Sequence, residues 1–185
     1  KRRENVVTDV IEPGNIAYLK IYSFLIDYHK EGEEYKKEIE IIYDFLKSIK
    51  DYPYLFIDIS DNEGGNREYW LQAIVAPLRN KLKEVKNLSV EKTYLIRGGE
   101  YIVNLLENYI PDLKNNTIDK LPMYDLLPAG VKENFMYYAT TDIVKDFEKF
   151  SKYVEPVDFN GKIFLIVSRT TYSTANIFAE FCKET

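Results

Sequence analysis

Cysteine and histidine are almost missing from this sequence: Cys182 and His29 are the only ones among 185 residues. One cysteine excludes an intrachain disulfide and a C-x-x-C motif, and with a single histidine beside it a Cys/His metal cage is excluded as well. Any Ser-His-Asp triad assembled within the chain has to use His29. That residue lies between Tyr28 and Lys30, just after the first buried strand, and its context reads as a solvent-exposed loop rather than a catalytic base. A basic excess is also missing. Lys and Arg number 25 against 30 Asp and Glu, a net charge of −5 with a pI near 5.1, so the electrostatic footprint of a nucleic-acid binder is absent. No stretch approaches the roughly 20 apolar residues of a membrane-spanning helix. Lys1-Arg2-Arg3-Glu4 leads into Asn5 and Val6, not into the apolar core of a signal peptide. Without an initial Met the chain reads as a piece of something longer, so an extracytoplasmic location stays open.

What is there belongs to a globular domain. The chain is 45% hydrophobic and 30% charged, with 16 Tyr and 10 Phe, which suit core and sheet-face packing. Its length fits one domain. Residues 1–14 form a polar lead-in closing on the turn signal Pro13-Gly14. Asn15 to Phe24 reads as a buried strand. Glu34 to Lys50 places Tyr35, Ile39, Ile42, Tyr43, Leu46 and Ile49 at helical spacing. The run Tyr54 to Ile59 is nearly continuous in apolar residues, the pattern of a parallel strand covered on both faces. A helix is expected over Glu68–Leu82 with a kink at Pro77, a strand over Val90–Arg97 and a short helix over Tyr101–Tyr109. Pro111, Pro122 and Pro128 mark an irregular insertion over about 110–135. Helical spacing returns from Thr140 to Tyr153, followed by a strand over Lys162–Ser168 and a helix over Thr174–Lys183. Alternating strands and helices predict an α/β domain with a mostly parallel sheet.

Two loops carry chemistry. Asp58 to Gly65 (D-I-S-D-N-E-G-G) follows the C-terminal end of a buried strand, where open α/β sheets bind ligands. Adjacent Gly64 and Gly65 let backbone approach a ligand and present N–H donors; they also suit a plain turn that needs positive φ. The second loop, S-R-T-T-Y-S-T, joins the last strand to the last helix. A serine at such a corner can expose its hydroxyl as a nucleophile beside backbone N–H groups. Equally, Thr170, Thr171, Ser173 and Thr174 are all candidates to cap the helix.

Taken together and in order, these segments resemble the tail-specific, or C-terminal processing, serine peptidases, a family that includes the tricorn proteases. A-Y-L-K-I-Y-S-F is similar to the family's opening catalytic strand, L-F-I-D-I-S-D-N-E-G-G-N to its D-I-R-x-N-x-G-G segment, and T-Y-S-T-A-N-I-F-A to its nucleophile elbow. The similarity covers most of residues 15–185. It implies a Clp-protease/crotonase-like layered ββα-type domain. Ser173 is then the nucleophile, with the N–H of Thr174 and that of Gly64 or Gly65 as the oxyanion hole, and with Asp58, Asn62 and Tyr172 supporting the site. It implies an extended polypeptide as substrate, added as a strand to a sheet edge, no cofactor and no metal, and relatives many of which work outside the cytoplasm. Three positions depart from the pattern: Ser60 replaces an arginine, Glu63 a glycine and Asn176 a glutamate. The family's general base, a lysine following the elbow or a histidine preceding the domain, belongs to segments outside these 185 residues. The alternatives are a drifted peptide-binding or scaffolding module and an acyl-CoA enzyme of the crotonase type, although no phosphate or adenine site is evident.

Overall fold

The computed structural model describes residues 4–27, 33–81, 91–98, 100–106, 110, 113–142, 147, 151–152 and 154–184. The chain divides into two compact units, one formed by Lys1–Leu88 with Val144–Thr185 and the other by Ser89–Ile143.

The first unit is built on a four-stranded sheet in the order β1-β2-β3-β6. β1 (Val6–Glu12) runs antiparallel to β2 (Ile16–Ile21). β2 is parallel to β3 (Tyr54–Asp58), and β3 is parallel to β6 (Lys162–Ile166). The architecture is therefore mixed α/β with a mostly parallel sheet. The lead-in contains a strand that its polar composition conceals. Edge position explains this, since most β1 side chains are exposed and only Val6 is buried.

The expected covering of Tyr54–Ile59 on both faces is corrected. Leu55 and Ile57 are buried, whereas Tyr54 and Phe56 on the other face are not. The second face carries an aromatic row of paired residues, Tyr18, Phe56 and Phe164. The Phe56 and Phe164 rings stack with centroids 5.0 Å apart, at 16°. On the first face Ile57, Ile163 and Leu165 look into an apolar cavity of about 260 Å³, shared with Ile74, Leu78 and Phe178.

Helix α1 (Glu33–Ser48) buries Ile42 and Leu46, as the spacing predicts. Helix α2 (Arg67–Trp70) widens into a π turn over Leu71–Val75, where Ala76 N donates to Leu71 O at 2.8 Å. The widening comes just ahead of Pro77, whose ring supplies no N–H and closes off a regular ladder. Helix α5 (Thr174–Glu184) follows the serine turn. An aromatic cluster joins these pieces. The Phe24 ring meets Tyr69 at 5.5 Å and the edge of Phe178 at 5.9 Å, and Trp70 meets Phe178 at 5.2 Å and Phe181 at 5.6 Å.

In the second unit, β4 (Glu91–Ile96) pairs antiparallel with β5 (Tyr137–Asp142). The helix expected from Thr140 does not start there: Thr140, Thr141 and Asp142 lie in β5, because a Tyr-Tyr-Ala-Thr-Thr run favours a pleated surface once a partner strand is available. Ile143 and Val144 lie outside the described residues. Helix α3 (Glu100–Leu106), three short 3-10 turns between Leu113 and Leu126 and α4 (Ala129–Asn134) complete this unit.

Phe178 is 1% exposed and belongs to both the cavity wall and the aromatic cluster. Phe178→Ala is expected to destabilise the protein by about 3–5 kcal/mol, measured by urea unfolding. A loss below about 1 kcal/mol would show that the cluster does not tie α5 to the sheet.

Candidate active site

The site lies where β3 and β6 end. After β3 the chain makes a tight return, with Asn62 N donating to Ile59 O at 3.0 Å. Asn62 is fully buried and its amide is spent twice. Nδ2 donates to Ile21 O at 3.2 Å, and Oδ1 accepts from Gly64 N at 2.8 Å. Its main-chain oxygen accepts from Tyr172 N at 3.2 Å. One asparagine thus joins the end of β2, the glycine turn and the serine turn.

Both glycines are required by geometry. Gly64 has φ 107°, and a Cβ there would lie 2.7 Å from Ser173 Cβ and 3.0 Å from Thr174 N. Gly65 has φ 135°, and a Cβ would lie 2.3 Å from the carbonyl carbon of Phe24. No side chain fits at those separations. Phe24 N donates to Gly64 O at 2.9 Å, and Asn66 N donates to Phe24 O at 2.7 Å. In this parallel bridge the N–H of Gly65 is directed away from Phe24. The N–H of Gly64 is committed to Asn62, so of the two glycines only Gly65 keeps a donor without a partner among the described residues.

Ser173 has φ 54° and is the only non-glycine with positive φ among the described residues. An L-residue held in the left-handed region is strained, as a nucleophile on a sharp strand-to-helix turn is. The residue is exposed. The neighbouring hydroxyls turn to the first loop. Thr171 Oγ1 donates to Ile59 O at 3.1 Å, Thr170 Oγ1 donates to Ser60 O at 2.9 Å, and Ser168 Oγ also donates to Ser60 O. These hydroxyls clamp the elbow to the first loop. Ser173 begins α5 through its backbone, with Ile177 N donating to its carbonyl at 3.2 Å. The Thr174 N–H, like that of Gly65, has no acceptor among the described residues. Tyr172 contributes main-chain groups while its ring is 72% exposed.

Asp58 supports the loop electrostatically. Tyr18 Oη and Lys20 Nζ both donate to Asp58 Oδ2, the lysine at 3.0 Å, and Ser60 N donates to Oδ1 at 2.8 Å. Burial pushes the carboxyl up, but the Tyr18, Ser60 and Lys20 hydrogen bonds outweigh it and hold it at about 2. Burial and the Asp58 charge raise the Tyr18 phenol to about 12. Burial pulls the Lys20 ammonium down, yet Asp61 and Asp58 more than offset this, and its pKa is raised. It is a cation at neutral pH, not a base. Lys20 and Tyr18 carry no signal in the sequence beyond their alternation along β2; their part depends on the parallel register that sets Lys20 opposite Asp58.

His29 lies outside the described residues. Burial pushes the Cys182 thiol up to about 12, which removes a thiolate nucleophile at neutral pH. Of the positions departing from the family pattern, Glu63 and Asn176 are exposed, and Asn176 Nδ2 donates to Glu180 one turn along α5. Among the described residues no cluster of His, Cys, Asp and Glu could hold a metal ion, and no helix is long and apolar enough to cross a membrane.

The sequence profile of peptidase family S41 matches residues 15–185. The chain belongs to this family. No curated protein matches it. Among solved structures, a candidate peptidase of Parabacteroides merdae has a TM-score of 0.47 at 12% identity, over 100% of this chain and 41% of its own. A lipoprotein of Streptococcus agalactiae has a TM-score of 0.49 at 16% identity, over 97% of this chain and 46% of its own. Mature CPAF has 0.45 at 17% identity, over 91% of this chain and 35% of its own. The chain therefore spans less than half the length of these structures.

Asp58 contributes stability that is present above its ordinary value of 3.8 and is lost as pH falls through about 2. Asp58→Asn is expected to lower stability at pH 7 by about 2 kcal/mol. The gap from the wild type should close between about pH 5 and pH 2, read by urea unfolding across that range. A gap constant across it would contradict the pairing.

Proposed function

We propose that residues 15–185 are part of the catalytic domain of a serine endopeptidase of the tail-specific type, with a Clp-protease/crotonase-like layered fold. The observation that carries this reading is the positive φ of Ser173, packed against Gly64 in a chain of peptidase family S41. Ser173 Oγ attacks the carbonyl carbon of an extended peptide. The oxygen that becomes negative accepts hydrogen bonds from the N–H groups of Thr174 and Gly65, the two unengaged donors flanking the Gly64–Ser173 contact. The amine leaves, and water hydrolyses the acyl-enzyme.

The base comes from a segment outside residues 1–185. Two features favour this assignment: Lys20 is held protonated by two carboxylates, and His29 is the chain's single histidine. A serine hydroxyl without a base is a poor nucleophile, so the 185 residues alone are inactive or nearly so.

The test is a fluorophosphonate probe applied to the protein with its flanking sequence. Labelling is expected at Ser173, to vanish in Ser173→Ala, and to fall by at least about a hundredfold in the isolated 185 residues. Absence of labelling, with peptide binding retained, would make the domain a binding module and overturn the peptidase reading.

A further inference from the structure

One buried cation gathers the whole loop ahead of the glycine turn. Lys20 is 9% exposed, and its Nζ lies 2.8 Å from Asp61 Oδ2 and 3.0 Å from Asp58 Oδ2. It also donates to Ser60 Oγ at 3.2 Å and sits 5.0 Å from the centre of the Tyr22 ring. Asp58 ends β3, and Ser60 and Asp61 lie in the turn that delivers Asn62. The carbonyl of Ser60 in turn receives Ser168 Oγ and Thr170 Oγ1 from the loop between β6 and α5. Ser60 stands where the family motif carries an arginine, and it brings only a hydroxyl; the positive charge arrives instead from the neighbouring strand.

We infer that Lys20 is a positioning residue for Ser173: its ammonium fixes the Asp58–Asp61 turn on which both the glycine turn and the serine elbow are hung. The physical reason is charge balance. Two carboxylates three residues apart repel when the loop closes, and a shared cation at hydrogen-bond distance reverses that repulsion. Asp61 is the exposed end of the clamp, its side chain 57% accessible, against 9% for Asp58 and 11% for Lys20. Its loss therefore leaves the buried pair intact and loosens only the loop. Lys20 does not touch the reacting atoms; it acts through Ser60 and Asn62.

This inference rests on the peptidase reading for its consequence, so two measurements separate them. The first is amide hydrogen exchange on the 185-residue chain at Asn62, Gly64 and Tyr172, which needs no activity. Exchange at these sites is expected to speed up by about tenfold or more in Lys20→Met and about threefold in Asp61→Asn, with Lys20→Arg close to wild type because the charge is kept. Asp61→Asn, at an exposed site, should keep the wild-type Tm and so stays informative even where Lys20→Met does not fold. The second is fluorophosphonate labelling in the protein with its flanking sequence, where Asp61→Asn should slow labelling of Ser173 by about three- to tenfold, and kcat should fall with KM little changed. Unchanged exchange in Asp61→Asn, or a Lys20→Arg protein as loose as Lys20→Met, overturns the inference. A wild-type protein that does not label, but whose exchange responds as described, overturns the peptidase reading and leaves the positioning role standing.

Discussion

The site depends on the buried amide of Asn62. Its two polar ends reach Ile21 O and Gly64 N, and its carbonyl receives Tyr172 N. Three segments far apart in sequence are thereby held at one point, each through main-chain atoms whose positions do not vary with side-chain rotamers. A buried amide so fully engaged is rigid, because releasing any of its bonds strands a polar group away from water at about 1–3 kcal/mol. The same bonds decide which N–H groups are spent and which are left: Gly64 is consumed by Asn62, and Gly65 is not. The donor pattern at the elbow is a by-product of how the loop is stapled.

Around that staple, packing and charge divide the work. Phe24 holds the glycine turn through its backbone and, through its ring, meets Phe178 of α5. Helix α5, which follows Ser173, and the glycine turn facing that serine are therefore seated on one aromatic cluster. On the other side, the Lys20, Asp58 and Asp61 group braces the loop, and the hydroxyls of Ser168, Thr170 and Thr171 tie it to the elbow. Strain at Ser173 persists because these contacts over-determine its backbone.

Much of this could be read from the residues. The apolar runs of β2, β3 and β6 and the spacing of α1 mark those elements, because runs of β-branched and aromatic residues and a 3.6-residue apolar period are local signals that need no tertiary partner. The glycine pair and the serine corner were both visible as ambiguous signals. What could not be read is where their partners lie. Ser and Thr hydroxyls serve caps and carbonyl clamps alike, and only the fold shows those of Ser168, Thr170 and Thr171 turned to Ile59 and Ser60. Asn62 finds its partner 41 residues earlier, and Lys20 meets Asp58 only through strand register. β1 is hidden because an edge strand can be polar, and β5 because its pairing with β4 lies far away in sequence.

The central claim is that the elbow and the glycine turn offer one oxyanion site, made by Thr174 and Gly65 with Gly64 withheld. A crystal structure of a phosphonylated Ser173 adduct, in the protein with its flanking sequence, tests it most directly. The account predicts the phosphonyl oxygen within about 2.7–3.1 Å of both the Thr174 and Gly65 nitrogens, with Gly64 N still bonded to Asn62 Oδ1. A phosphonyl oxygen turned to solvent, or one bonded to Gly64 N with the Asn62 contact broken, would contradict it.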